Sequence, residues 1–284
     1  MAKDARFAYL QARLQARHGD RPSPDDWRVA ESSADLSHYL EAIRRSALKR
    51  WVGDLNHEME PETIERQLRA TWRDAVDETA SWAPEEWRPA VEWLRWLPDL
   101  PAVEHLLRGA KVAPWMRTDP VMRDIAFDEP TRRREALAET ALAPLLPPDA
   151  PEKPDLQSGL AGGDGAVGDG APAANPATHA AAAWLNELQR RLPAAGRDPD
   201  GPLADIVALV DTHIETMRSS DAPGGRRLRN TLAEQLARRF RRGAGTATAL
   251  FSHLLLDGLE LERVRAGIMA RRLMPERTEG RSWA

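Results

Sequence analysis

Apolar residues recur at spacings of three and four along most of this chain, and no segment longer than a few residues alternates with period two. Residues 5–17 set Phe7, Leu10 and Leu14 on one stripe, with Arg13, Gln15 and Arg17 mostly off it. This is the pattern of an amphipathic helix, closed by His18-Gly19-Asp20 ahead of Pro22 and Pro24. A short helix over residues 25–31 carries Trp27. Ser32 or Ser33 is then placed to cap a helix bearing Leu36, Tyr39, Leu40 and Ile43, because a side-chain oxygen there accepts an orphan backbone N–H. A further segment holds Leu48, Trp51, Val52 and Leu55. Pro61 suits a first helical turn and Glu62 its positive end. From there Ile64, Leu68, Trp72, Val76 and Ala80 repeat nearly every fourth residue, until Ser81 to Pro84 closes the run.

Pro89 lies inside the apolar run of residues 85–97, so the helix there starts late enough to hold it in the first turn. Pro98-Asp99-Leu100-Pro101 is a stop and restart, and Val103, Leu106 and Leu107 run on to Gly109. Residues 110–120 read as loop, followed by a turn near residues 121–127 and a helix over about residues 130–143. Further on, residues 180–192 carry Trp184, Leu185 and Leu188, and a second helix is marked by Ile206, Val210, His213 and Met217. Leu228, Leu232, Leu236 and Phe240 follow at strict i+4 spacing up to the break at Gly243-Ala244-Gly245. A long last helix spans residues 246–273.

Between these regions, residues 146–178 hold a Pro-rich run and then a Gly/Ala/Asp run with almost nothing to pack. The expected architecture is all-α: a Trp-rich helical block over 1–145, a disordered Gly/Ala/Pro-rich linker over 146–178, and a second helical block over 179–284. Scarce β-branched residues and abundant Ala, Leu, Arg and Glu agree with it.

Composition narrows the chemistry. The 284 residues contain no cysteine, which excludes disulfides, thiolate metal sites and cysteine nucleophiles. A formal net charge of -4 gives no global field for nucleic acid. No apolar stretch approaches the roughly 20 residues of a spanning helix, and the N-terminus does not read as a signal peptide. A cytoplasmic protein is expected, touching a membrane only through partners.

Catalytic patterns are sparse. Gly162-Gly163-Asp164-Gly165 and Gly168-Asp169-Gly170 lack the Lys-Ser/Thr of a phosphate loop and the closing Glu of a calcium loop, and read as linker. His57-Glu58 lacks a second histidine four residues on. His253, Asp257 and Glu260 fall near one side of the last helix, where a carboxylate–histidine site is conceivable. Partly exposed helix positions or an inter-helix contact is the plainer reading. His213, among apolar residues, reads as a satisfied core histidine. Eight of the ten tryptophans lie between Trp27 and Trp115, and read as core in preference to an aromatic binding surface. Arg132-Arg133-Arg134 looks like an exposed helix edge. No cofactor or metal is implied.

Residues 223–242 carry Arg226, Arg227, Arg229, Arg238, Arg239, Arg241 and Arg242 against Glu234 alone. Such a run binds phosphates, docks an acidic protein, lies near anionic lipid, or is simply a solvated face. With no nucleic-acid module and the aromatics elsewhere, protein docking ranks above nucleic acid.

Two regions resemble the rotor-capping family, type C (also called type d), of vacuolar and archaeal-type rotary ATPases. One is Ala8-Tyr9-Leu10-Gln11-Ala12-Arg13-Leu14 with Asp35-Leu36-Ser37-His38-Tyr39-Leu40; the other is Leu259-Glu260-Leu261-Glu262-Arg263-Val264-Arg265. The resemblance covers the ends of the chain and the general helical plan, not the middle, and the family's threefold internal repeat is not traceable. It implies a non-catalytic subunit that couples a central stalk to a membrane rotor ring by packing, with stalk and ring subunits as partners. It also gives the Arg-rich helix acidic stalk or ring surfaces to contact. The expected function is that of a non-enzymatic subunit of a membrane-associated complex. The alternatives are a helical adaptor or scaffold unrelated to ATPases, or a small helical enzyme using His253 with Asp257 or Glu260.

Overall fold

The computed structural model describes residues 2–147, 176–218 and 222–273, and within them every regular element is helical. The α-helices are α1 (Ala2–Gly19), α2 (Pro24–Ser32), α3 (Leu36–Arg44), α4 (Lys49–Val52), α5 (Pro61–Trp82), α6 (Arg88–Trp93), α7 (Leu100–Leu107), α8 (Pro130–Ala138), α9 (Pro176–Arg191), α10 (Pro202–Arg218), α11 (Ala222–Arg242) and α12 (Ala247–Leu273). Short 3₁₀ turns, among them Leu94–Asp99, join several of them. The chain is all-α. Most of the linker expected over 146–178, including both glycine runs, lies outside the described residues.

Local chemistry sets the helix boundaries. Ser23 and Asp26 form a reciprocal capping box at the start of α2, the Ser23 oxygen accepting from the Asp26 N–H at 3.1 Å and the Asp26 carboxylate accepting from the Ser23 N–H at 2.8 Å. The cap of α3 is Asp35, which accepts from the His38 N–H at 2.9 Å. This corrects the expectation for Ser32 or Ser33. Ser32 instead donates to the Val29 carbonyl, and Ser33 closes α2. An ionised carboxylate at the positive end of a helix is the stronger cap. Pro89 sits in the first turn of α6, as the late start requires.

The chain falls into two compact units, Met1–Asp99 with Leu188–Ala284 and, separately, Leu100–Glu187. These boundaries differ from the sequence blocks at 145 and 179. The reason is α12. It is buried along most of its length, and it packs on α11 and α10 from its own half of the chain and on α1, α3 and α5 from the other. Apolar faces from both ends of the sequence therefore close one core, in which Leu14, Tyr39, Ile43, Trp72, Leu254 and Val264 are fully buried.

Three arginines tie the second half of α12 down. Arg263 meets Glu31 at 2.7 Å and lies over the Trp27 ring, and Arg265 meets Glu65 at 2.7 Å. Arg271 donates to the Ser33 and Glu31 carbonyls at 2.9 and 3.0 Å and lies over the Tyr39 ring. Tyr39 itself fits a notch at Gly267, where a Cβ would overlap its hydroxyl. Between α11 and α12, Gly245 takes the left-handed φ of +79° that makes the break, and its N–H donates to Gln11 of α1 at 2.7 Å.

The tryptophans are core, as expected: Trp27, Trp51, Trp72, Trp82, Trp87 and Trp93 are buried, while Trp96 and Trp115 are half-buried. In the second unit, Arg133 is buried, which corrects the exposed-edge reading of Arg132-Arg133-Arg134. Its guanidinium donates to Phe127 at 2.8 Å, Ala110 at 3.3 Å and Leu106, collecting carbonyls around the end of α7. Arg132 does remain exposed.

Candidate functional site

Positions 253, 257 and 260 share one face of α12, and this face points inward. His253, Asp257 and Glu260 are 2%, 2% and 8% exposed. They are an inter-helix contact, and the partly exposed alternative is corrected. Two arginines that the sequence pattern does not single out complete the cluster. Arg21 follows α1, and Arg50 lies in the first turn of α4.

The geometry is that of a closed charge quartet. Arg50 clamps Asp257 with both terminal nitrogens, at 3.1 and 2.9 Å, and reaches Glu260 at 2.6 Å. Arg21 pairs with Asp257 and with Glu260, and donates to the His253 carbonyl at 3.2 Å. Trp51 donates its indole N–H to Glu260 at 3.4 Å, while the Arg50 guanidinium lies over the Trp51 ring. Two carboxylates thus face two guanidinium groups with a tryptophan as lid. Buried charges of this kind are tolerated only when paired and hydrogen-bonded.

The protonation pattern follows. Burial drives the His253 imidazole down to about 4, with Asp257 pulling the other way. The ring sits 3.5 Å from the Asp257 carboxylate through Nε2, and its Nδ1 has no hydrogen-bond partner. Burial works against ionisation of Asp257, but His253, Arg21 and Arg50 hold its carboxyl below the ordinary range. Burial, with Asp257 beside it, raises Glu260 against the pull of the two arginines. Next to the quartet, His18 stacks on Phe240 at 4.1 Å, and burial lowers its pKa, as does Arg21.

A general base has to reach a substrate proton through water or directly. Here the carboxylate oxygens are spent on guanidinium groups and the imidazole is sealed. The arrangement can lock α1, α4 and α12 together; it offers a substrate no approach. The sequence carried half of this site. Asp257 and Glu260 among Leu254, Leu256 and Leu261 demand buried counter-charges, but nothing in the spacing says that Arg21 and Arg50 supply them.

The arginines of α11 divide by face. Arg227, Arg238, Arg241 and Arg242 are exposed. Arg229 and Arg239 are half-buried, and Arg226 has a partner within the fold. His213 is half-buried, and burial followed by Arg229 lowers its pKa. Among the described residues, no helix is long and apolar enough to cross a membrane. In comparisons with known proteins, no family model matches the chain, and no curated protein or solved structure is significantly similar to it.

Proposed function

We propose that this chain is a non-catalytic subunit of a membrane-associated complex, cytoplasmic and peripheral to the membrane through its partners, and similar in role to the rotary ATPase subunit that joins stalk to rotor ring. The observation that carries the non-catalytic reading is the charge quartet. The one acid–base constellation the sequence offers has its carboxylates bound by Arg21 and Arg50 and its imidazole buried. The rotary-ATPase part rests on the sequence resemblance. It is supported by the way the resembling segments, far apart in the chain, pack as one group. Leu10 and Leu14 of α1, Leu36, Tyr39 and Leu40 of α3, and Leu261 and Val264 of α12 are all buried, and α12 packs on both other helices. The Tyr39 hydroxyl donates to the Val264 carbonyl at 3.4 Å.

Affinity purification of the tagged chain from its native cells, read by mass spectrometry, tests the role. Stalk and rotor-ring subunits are the expected co-purifying proteins. Recovery of soluble partners alone replaces this role with that of a helical adaptor. A turnover that disappears in His253→Asn would restore the enzyme reading.

A further inference from the structure

On a helix of 3.6 residues per turn, positions 227, 231, 234, 238, 241 and 242 share one face of α11. The opposite face carries Leu232, Leu236 and Phe240 into the core. The outward face therefore presents Arg227 and, about 16 Å further along the axis, the triplet Arg238, Arg241 and Arg242 at i, i+3 and i+4. All four are exposed, and none makes an ion pair among the described residues. Glu234 stands one turn before Arg238 without pairing to it.

Elsewhere in the same unit arginine is matched: Arg17, Arg50, Arg69, Arg95, Arg263 and Arg265 each meet a carboxylate. Like charges at i, i+3 and i, i+4 destabilise a helix. The negative end of α11 explains a cation in its last turn, but not Arg227 near its start. The face is built as a row of guanidinium groups whose partners lie outside the chain.

We infer that this face docks an acidic protein helix, whose Asp or Glu side chains at i and i+3 or i+4 take the fork of Arg238, Arg241 and Arg242. The proposal deepens the docking role above and rests on it. Guanidinium groups suit carboxylates through paired N–H donors. The face has no aromatic ring on which a nucleic-acid base could stack, since Phe240 is buried against His18. It has no exposed apolar side chain to enter a lipid surface. A protein partner is what remains favoured.

The test uses the full chain and defined probes: a helical peptide of about 20 residues with Glu at i, i+3 and i+4, its Gln counterpart, a polyuridine strand, and phosphatidylcholine vesicles containing phosphatidylserine. The Glu peptide binds, more weakly as salt rises, and the Gln peptide does not. The triple variant R238E/R241E/R242E loses about tenfold or more in affinity, whereas R28E/R45E/R66E, with the same charge change elsewhere, loses less than about threefold. Failure of the Glu peptide to bind at low salt overturns the assignment. So does equal loss in both triple variants, or tighter binding of polyuridine or vesicles than of the peptide. If the chain still co-purifies with a membrane complex while ignoring the peptide, the face falls and the subunit role stands. Peptide binding without any such complex gives the reverse.

Discussion

Two glycines in α12 look alike in sequence and differ in what surrounds them. A Cβ at Gly267 would overlap the Tyr39 hydroxyl, whereas one at Gly258 would meet Trp72 and Leu97 at 3.5 Å, an ordinary contact. Gly267→Ala is therefore expected to destabilise the fold by about 1–3 kcal/mol through overpacking. Gly258→Ala should stabilise it by roughly 0.5–1 kcal/mol, because helical glycine carries excess backbone entropy. Urea unfolding of the two variants checks the opposite signs. His253 gives a second residue-scale expectation. Its folded pKa of about 4 lies below the ordinary 6.5, so between those values the unfolded chain takes up a proton that the folded one refuses. The stability tied to this group is complete above pH 6.5 and falls by roughly 3 kcal/mol as the pH drops toward 4. His253→Leu should flatten urea midpoints measured between pH 7 and pH 5; an unchanged slope would remove the buried neutral imidazole from the account.

Between elements, the value of a charge pair depends on burial. Asp99 closes the 3₁₀ turn after α6 and is fully buried, accepting from Arg69 at 3.0 Å and Arg73 at 2.6 Å, both on α5. Asp99→Ala strands the nearly buried Arg69 cation and is expected to cost about 3 kcal/mol or more. Glu78, which takes both of its bonds from Arg17 in the open, should cost less than about 1 kcal/mol when replaced by Ala. Thermal unfolding of the two variants separates the cases. Helix type and placement were legible because the 3.6-residue stripe is continuous in α1, α5 and α11 and because Pro and Gly mark their ends. Caps were less legible: with Ser32, Ser33 and Asp35 all present, only the backbone geometry selects Asp35. The outward arginines of α11 could be named from the run but not sorted, since sorting requires knowing which stripe the core takes.

At the scale of the molecule, periodicity shows that each helix has a face to bury but not which helix buries it. A Pro/Gly/Ala-rich stretch at 146–178 made the halves on either side look self-sufficient. Yet α12 fills the space among α1, α3, α5 and α11, and the Asp257–Glu260 pair draws its counter-charges from Arg21 and Arg50, more than 200 residues away. This long-range pairing is why half of the candidate site was invisible in sequence. It also predicts how the chain behaves when cut. A fragment of residues 1–145 exposes the apolar stripe that α12 covers and leaves Arg21 and Arg50 without carboxylates. It should be helical by circular dichroism yet show no cooperative thermal transition, because helices without a partner for their apolar faces are marginal. Adding residues 179–284 in equimolar amount should restore the transition, and Asp257→Ala with Glu260→Ala in that second fragment should abolish the recovery. A sharp transition in the first fragment alone would mean that its core closes without α12 and that the two ends of the chain fold independently.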